Sequence, residues 1–398
     1  MLLQNKKIAI IGGGPGGLTL ARLLQCKGAD VKIYERDESR NVRVQGATLD
    51  LHHESGLKAL EEAGLMDAFK ANYRPNADRL RIVDENAKIF FDEHNEESTK
   101  NFGDEWFRPE IDRGPLRDIL LDSLQPETVV WDSHIVSLGR HTVGRRSAKE
   151  IDNTWEIIFQ NGNTVTADIV IGADGAKSKI RPFVTPIKPF YSGVTVLEGN
   201  IYSSEKNAPK IHALLQGGKI MGFGDSKTIS VSAKGDGSLD FYTGWKVDAN
   251  WITESGIDFK NGKQVLEWFK KEYAAWDKIW LELFEAENTT FTPRPQYCMP
   301  LDQQWEAQTN ITLIGDAAHW MPPYAGEGVN MAMLDALQLS ESLTSGEFTD
   351  LKSAIAHYEN QMFVRFAEIG KDTLNNTEFM HSTDGLNKLL EMFNQMQD

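Results

Sequence analysis

Three stretches of this sequence concentrate residue types whose spacing suits the binding of a large phosphorylated cofactor. The first is Gly12-x-Gly14-x-x-Gly17, with Pro15 and Gly16 inside it, between the β-branched run Ile8 to Ile11 and the helically spaced Leu18 to Leu24. Glycines at a strand-to-helix turn let backbone N–H groups approach a pyrophosphate at the helix N-terminus. A second strand, Val31 to Tyr34, ends at Glu35, 18 residues beyond Gly17. A carboxylate there can accept hydrogen bonds from both ribose hydroxyls of an adenosine, and it disfavours a 2′-phosphate. These residues suit FAD and NAD equally. Arg36 adjoins this group and is counted with it, although a lone cation at a strand end reads most simply as a surface charge.

The second stretch is Asp174 to Arg181. An Asp-Gly pair is by itself a turn. Here it follows the buried run Ile169 to Ile171 and precedes Ser178 and Arg181, and in that setting it resembles the segment with which flavin hydroxylases line their cofactor and the path of the nicotinamide donor. The third stretch, Gly315-Asp-Ala-Ala-His-Trp-Met-Pro-Pro-Tyr-Ala-Gly-Glu-Gly-Val-Asn330, is the most specific. Asp316 can hydrogen-bond ribityl hydroxyls. Pro322 and Pro323 stiffen the turn, and Gly326, Gly328, Val329 and Asn330 open a helix whose backbone N–H groups can reach a flavin carbonyl and stabilise negative charge. His319 reads as structural, not as an acid–base group.

Together these residues resemble the group A FAD-dependent monooxygenases, the aromatic-hydroxylase family, and within it the tetracycline-inactivating members. The resemblance spans nearly the whole chain and is weakest across the expected substrate sheet, between Gly193 and Trp245. It implies that Arg43 lies by the flavin, that Arg117 reaches the ribityl or pyrophosphate region and that Asp174 and Asp316 line the cofactor. It also implies NADPH, or NADH, as a transient co-substrate, in keeping with a single dinucleotide fingerprint. No side chain is then catalytic, because a flavin C4a-hydroperoxide performs the oxygen transfer to an electron-rich phenol or enol. Glu198, Lys219 and Asp240 fall where the tetracycline-inactivating pattern has Gln, Arg and His, and they are the candidate substrate contacts with Pro323 and Gly326. Two carboxylates among them carry a desolvation cost unless paired, so the preferred ligand need not be tetracycline. A FAD-dependent oxidase or dehydrogenase, and a non-catalytic flavoprotein that binds an aromatic ligand, share the same cofactor residues.

These residues need an α/β scaffold: a Rossmann-type FAD-binding domain interleaved with a second domain on an antiparallel sheet. The implied division is 1–74, 108–186 and 300–345 for FAD, 75–107 and 187–299 for substrate, and 346–398 for a C-terminal helical segment. Helical spacing runs from Ser55 to Ala71, from Pro115 to Leu124, from Gly328 to about Leu343, and through Ile355, Tyr358, Met362, Phe366 and Ile369. Short alternating segments between Gly193 and Trp245 predict the antiparallel sheet.

A chain of 398 residues accommodates two such units, and its 10 Trp and 19 Phe suffice for aromatic pocket walls. The formal charge of −16 repels nucleic acid and anionic membranes. Cys26 and Cys298 are isolated, so neither a disulfide framework nor a metal site follows. HExxH and GxSxG patterns are absent, which leaves metalloprotease and α/β-hydrolase chemistry without support. The expectation is a cytoplasmic monomer that acts on a small molecule with O2.

Overall fold

The computed structural model describes residues 2–42, 48–94, 101–140, 154–287 and 289–397. Its first sheet is built from five strands in the order β17-β11-β1-β2-β7. These are β1 (Lys7–Ile11), β2 (Asp30–Tyr34), β7 (Val129–Val130), β11 (Ile169–Gly172) and β17 (Ile311–Leu313). Ile8 to Ile11, Ile169 to Gly172 and Ile311 to Leu313 are buried throughout. Such uninterrupted burial is what a parallel sheet covered on both faces demands. Every pairing in it is parallel, and the ends are in register: Ile11 lies opposite Tyr34 and Gly172, and Gly172 opposite Leu313. The segments that follow these four strands therefore emerge along one sheet edge.

A second sheet has seven strands in the order β16-β12-β15-β14-β13-β4-β5. It comprises β4 (Leu80–Asp84), β5 (Ile89–Asp92), β12 (Phe190–Ile201), β13 (Lys219–Gly224), β14 (Lys227–Ala233), β15 (Leu239–Lys246) and β16 (Thr290–Cys298). The sheet is antiparallel apart from β13 against β4. Its two faces differ as an alternating pattern requires. Leu197, Ile229, Val231, Phe241 and Ile220 bury one face in an aromatic core with Phe269, Trp280 and Phe284. Glu198, Asn200, Ser230, Ser232, Asp240, Tyr242 and Lys219 share the other, since Glu198 pairs with Tyr242, Asn200 with Asp240, and Ser232 with both Asp240 and Lys219.

The stretch expected to be one helix from Ser55 to Ala71 is divided into a π-helical turn, His53–Leu57, and two short helices, Lys58–Glu62 and Met66–Lys70. Gly64 at φ +71° ends the first helix in the left-handed conformation. The hairpin of β9 (Trp155–Phe159) and β10 (Thr164–Ala167) lies in a small three-stranded sheet and leads straight into β11 of the parallel one. Helices Gly328–Thr344, Leu351–Met380 and Gly385–Gln397 complete the chain. None of the described helices is long and apolar enough to cross a membrane.

Candidate active site

The cofactor motifs gather at the carboxyl ends of the parallel strands, the edge where open α/β sheets bind ligands. The ladder runs one step past each strand into the motifs: Gly12 N donates to Tyr34 O, Ala173 N to Ile11 O and Ile314 N to Gly172 O, at 2.8 to 3.0 Å. Gly12 has φ +111°, and a Cβ there would lie 2.3 Å from Ala173 O. The turn thus requires glycine on two grounds, handedness and close approach. Pro15 begins the Pro15–Cys26 helix, which Gly14 caps. Gly16 packs this helix on Gly328–Thr344, its Cβ position 2.9 Å from Ala332 O, and Gly17 packs it back on Gly12. A Cβ on Gly14 would meet nothing within 4 Å, so Gly14 presents open backbone at the helix N-terminus.

Glu35 is buried, and its carboxylate accepts from Gly13 N at 2.5 Å and from Asp37 N at 3.0 Å. It ties the end of β2 to the glycine turn. Arg36 beside it is exposed. Arg117, buried in the helix Arg113–Asp122, donates to Arg40 O at 2.6 Å, pairs with Asp37 at 3.4 Å and stacks over Trp131. It braces the loop after β2. Arg43 lies outside the described residues.

Asp174 accepts from Ser178 Oγ and Lys179 N, both at 2.6 Å, and so closes its own loop. Burial raises its carboxyl above the ordinary range, against those hydrogen bonds. Arg181 ends this loop, buried, and donates to Asp316 O and Ala317 O at 2.7 Å. The second and third motifs are thereby fastened to each other by one guanidinium. Asp316 itself is solvent-exposed although protein surrounds it closely. Desolvation raises it, and the charges of His319, Arg113 and Arg181 oppose the rise. His319 is buried with Nε2 2.6 Å from Asp335, which also accepts from Gly315 N and Arg365. That network holds the turn below Asp316.

The turn at Pro323 leads through Gly326, left-handed at φ +71°, into the helix that starts at Gly328. Pro323 and Gly328 are exposed, Val329 is half-buried and Asn330 is buried. Asn330 accepts from His52 N at 2.9 Å and donates to Asp50 O at 3.0 Å. The long helix Leu351–Met380 grips the same turn: Thr373 donates to Pro322 O at 2.7 Å and Asn376 to Tyr324 O at 2.9 Å.

An open glycine turn at a helix N-terminus, a buried carboxylate at the end of β2 and an exposed carboxylate along the same edge fit FAD. Residues 5–108 and 277–358 match the family described as FAD binding domain. The monooxygenase asqM of Emericella nidulans is 30% identical over 390 residues, covering 86% of this chain and 85% of the relative. The chain belongs to the FAD-dependent monooxygenases. Among solved structures, an FAD-containing monooxygenase from Photorhabdus luminescens, described as putative, superposes with a TM-score of 0.73 at 25% identity, covering 96% of this chain and 99% of that one. The tetracycline destructase Tet(55) shares the fold, with a TM-score of 0.73 at 21% identity over 95% of this chain and 90% of that one.

In this monooxygenase the polar face of the seven-stranded sheet meets the loop that bears Tyr324. A Cβ on Gly244 would lie 2.6 Å from His381 Nε2, 2.7 Å from Thr228 Oγ1 and 3.3 Å from the Tyr324 hydroxyl. The charge of Arg113 acts on both Asp316 and Tyr242. Glu198, Lys219 and Asp240 lie on that face, each with a protein partner. Glu198 pairs with Arg294 and accepts from Tyr242 at 3.3 Å. Lys219 pairs with buried Glu110. Asp240 is buried against Asn200 and lies 3.6 Å from Lys234, and burial raises its carboxyl despite Lys234. Asp50, His52, Glu110 and the Thr373–Asn376 grip escaped the sequence motifs, because each also acts through a partner far away in the chain.

Proposed function

We propose that this monooxygenase draws electrons from NADPH, or from NADH in its place, and with O2 hydroxylates an electron-rich phenolic or enolic carbon of an aromatic or polycyclic substrate. The observation that carries the reading is the acceptor-rich sheet face, with Glu198, Asn200 and Asp240, set against the loop that bears Tyr324. A phenol or enol offers O–H donors that such acceptors can orient. Tetracycline, an enolic polycycle, is the first candidate to test, and the fold shared with Tet(55) supports its inclusion. The carboxylates favour a neutral or cationic ligand.

Bound FAD supplies the redox chemistry that activates O2. Gly12, Gly14 and Glu35 would hold its adenosine diphosphate half, Asp174 and Asp316 its ribityl side, and Gly326, Gly328, Val329 and Asn330 its ring. The protein's further tasks are to orient the substrate hydroxyl and to exclude water. In this reading residues 1–74, 108–186 and 300–345 carry FAD, 75–107 and 187–299 carry substrate, and 346–398 brace both in a cytoplasmic monomer.

The test is rapid mixing of the FAD-loaded protein with NADPH or NADH, with and without each member of a phenol and enol panel. We expect flavin bleaching by a nicotinamide donor, accelerated by the true substrate, with KM raised about tenfold or more in Glu198→Gln or Asp240→Asn. Bleaching by neither donor would overturn the reading. A second reading, oxidation without oxygen insertion, has no separate observation in its favour.

A further inference from the structure

The sequence motifs leave one charged cluster unexplained, at the seam between flavin loop and substrate sheet. His52 is buried, with Nε2 2.9 Å from Asp50 Oδ2 and Nδ1 3.0 Å from Glu327 Oε1. A ring that meets a carboxylate at both nitrogens must carry a proton on each, so the bridge is carboxylate, imidazolium, carboxylate. Its two ends belong to elements far apart in sequence. Asp50 ends β3 (Leu49–Asp50), and its carboxylate oxygens lie 3.8 Å from the Cβ position of Gly326. Glu327 is the N-cap of the helix Gly328–Thr344, where a negative charge suits the helix dipole.

We propose that His52 is a positioning residue: its imidazolium bridge fixes the loop Gly326–Gly328 in the shape that receives the flavin ring, and loss of that charge loosens FAD. The proposal rests on the reading that this loop contacts FAD.

The charges around His52 make the bridge pH-dependent in a defined direction. Asp50 faces it from β3 and Glu327 from the helix N-terminus. Behind Asp50 stand Lys219 of β13, which helps hold the Asp50 carboxyl low, and Glu110, which burial raises against the charge of Lys219. His53 and Glu54 pair with each other at 2.8 Å on the exposed side. Burial pulls His52 down, but the hydrogen bonds and charges of Asp50 and Glu327 outweigh it and lift the ring to about 9. A raised folded-state value means that the stability contributed by the bridge is fully present below the free-imidazole value of 6.5 and is lost as pH rises through about 9. The ring itself keeps both protons until pH nears about 9.

The experiment titrates the full-length apo-protein with FAD from pH 6 to 10, following flavin fluorescence, with circular dichroism as the fold control. We expect the wild-type dissociation constant to hold steady to about pH 8 and to rise at least tenfold through about pH 9. His52→Ala should bind at least tenfold more weakly at pH 7 and lack the alkaline transition. His52→Lys should recover part of the affinity and move the transition above pH 10, because it restores the charge. Wild-type affinity that is flat to pH 10, or His52→Ala binding as tightly as wild type, would overturn the proposal. Should His52→Ala fail to fold, Glu327→Gln replaces it: it should bind more weakly at pH 7 and move the alkaline transition to lower pH, because Asp50 alone then lifts the ring. Gly328→Val, whose Cβ enters open space, separates the two readings. If it leaves FAD affinity unchanged at every pH, the loop reading fails. If it weakens binding while wild type is pH-blind, only the role of His52 fails.

Discussion

Asp316 and Glu35 are both carboxylates in the cofactor region, and their surroundings set them different tasks. Glu35 accepts from Gly13 N and Asp37 N, so it shapes the turn, and in the proposed reading its remaining lone pairs face an adenosine. Glu35→Ala is expected to weaken FAD binding by about 1–3 kcal/mol, the loss when a buried donor is left unmet. Equilibrium titration checks this. Asp316 is exposed, and the fold hangs on its backbone carbonyl, through Arg181, not on its carboxylate. Asp316→Ala should therefore lose FAD during gel filtration while keeping its far-UV circular dichroism. Normal flavin occupancy would remove Asp316 from the site.

At the scale of elements, the strand–turn–helix unit makes a sharper claim, because its glycines differ in what surrounds them. Gly12→Ala forces a Cβ against Ala173 O at left-handed φ and should cost on the order of 3–5 kcal/mol of stability, read as a large drop in Tm. Gly14 has φ −78° and ψ 177° and no neighbour within 4 Å. Gly14→Ala should melt within a few degrees of wild type yet bind FAD about tenfold or more weakly. Equal effects of the two substitutions would contradict this division of labour. The long C-terminal helix adds a remote grip: Asn376→Ala removes one hydrogen bond to Tyr324 O and should cost about 1 kcal/mol.

Whether an element was legible in the sequence follows from the reach of its signal. Strands β1 and β11 and the helix at Gly328 announce themselves by continuous apolar runs beside glycines, a local pattern. The helix expected across Ser55 to Ala71 was broken because Gly64 is a terminator inside an otherwise regular apolar spacing. The partners of Asn330 sit about 280 residues away at Asp50 and His52, and no periodicity encodes such a pairing. Arg181 was visible as a motif residue, but its bonds to the carbonyls of residues 316 and 317 emerge only once β11 and β17 lie side by side.

For the whole molecule, the acidic balance conceals one buried carboxylate with a global effect. Glu359, buried on the helix Leu351–Met380, accepts from Thr312 of β17 at 2.7 Å and is lifted by burial to about 7. Its folded-state value exceeds the free value of 4.5, so its contribution is present below about pH 4.5 and is lost as pH rises through about 7. By linkage the loss is on the order of 3 kcal/mol. Glu359→Gln should remove that slope and raise Tm at pH 8. Parallel slopes in wild type and variant would contradict it.

The central claim, that two sheets close a flavin loop against an acceptor-rich face to insert oxygen, is tested most directly by isotope. Purified FAD-loaded protein is incubated with NADPH, tetracycline or a phenol panel, and 18O2, and product mass is read. A product carrying one 18O atom is expected from at least one phenolic or enolic substrate. Oxidised product without label, from a substrate that the protein binds and turns over, would contradict it.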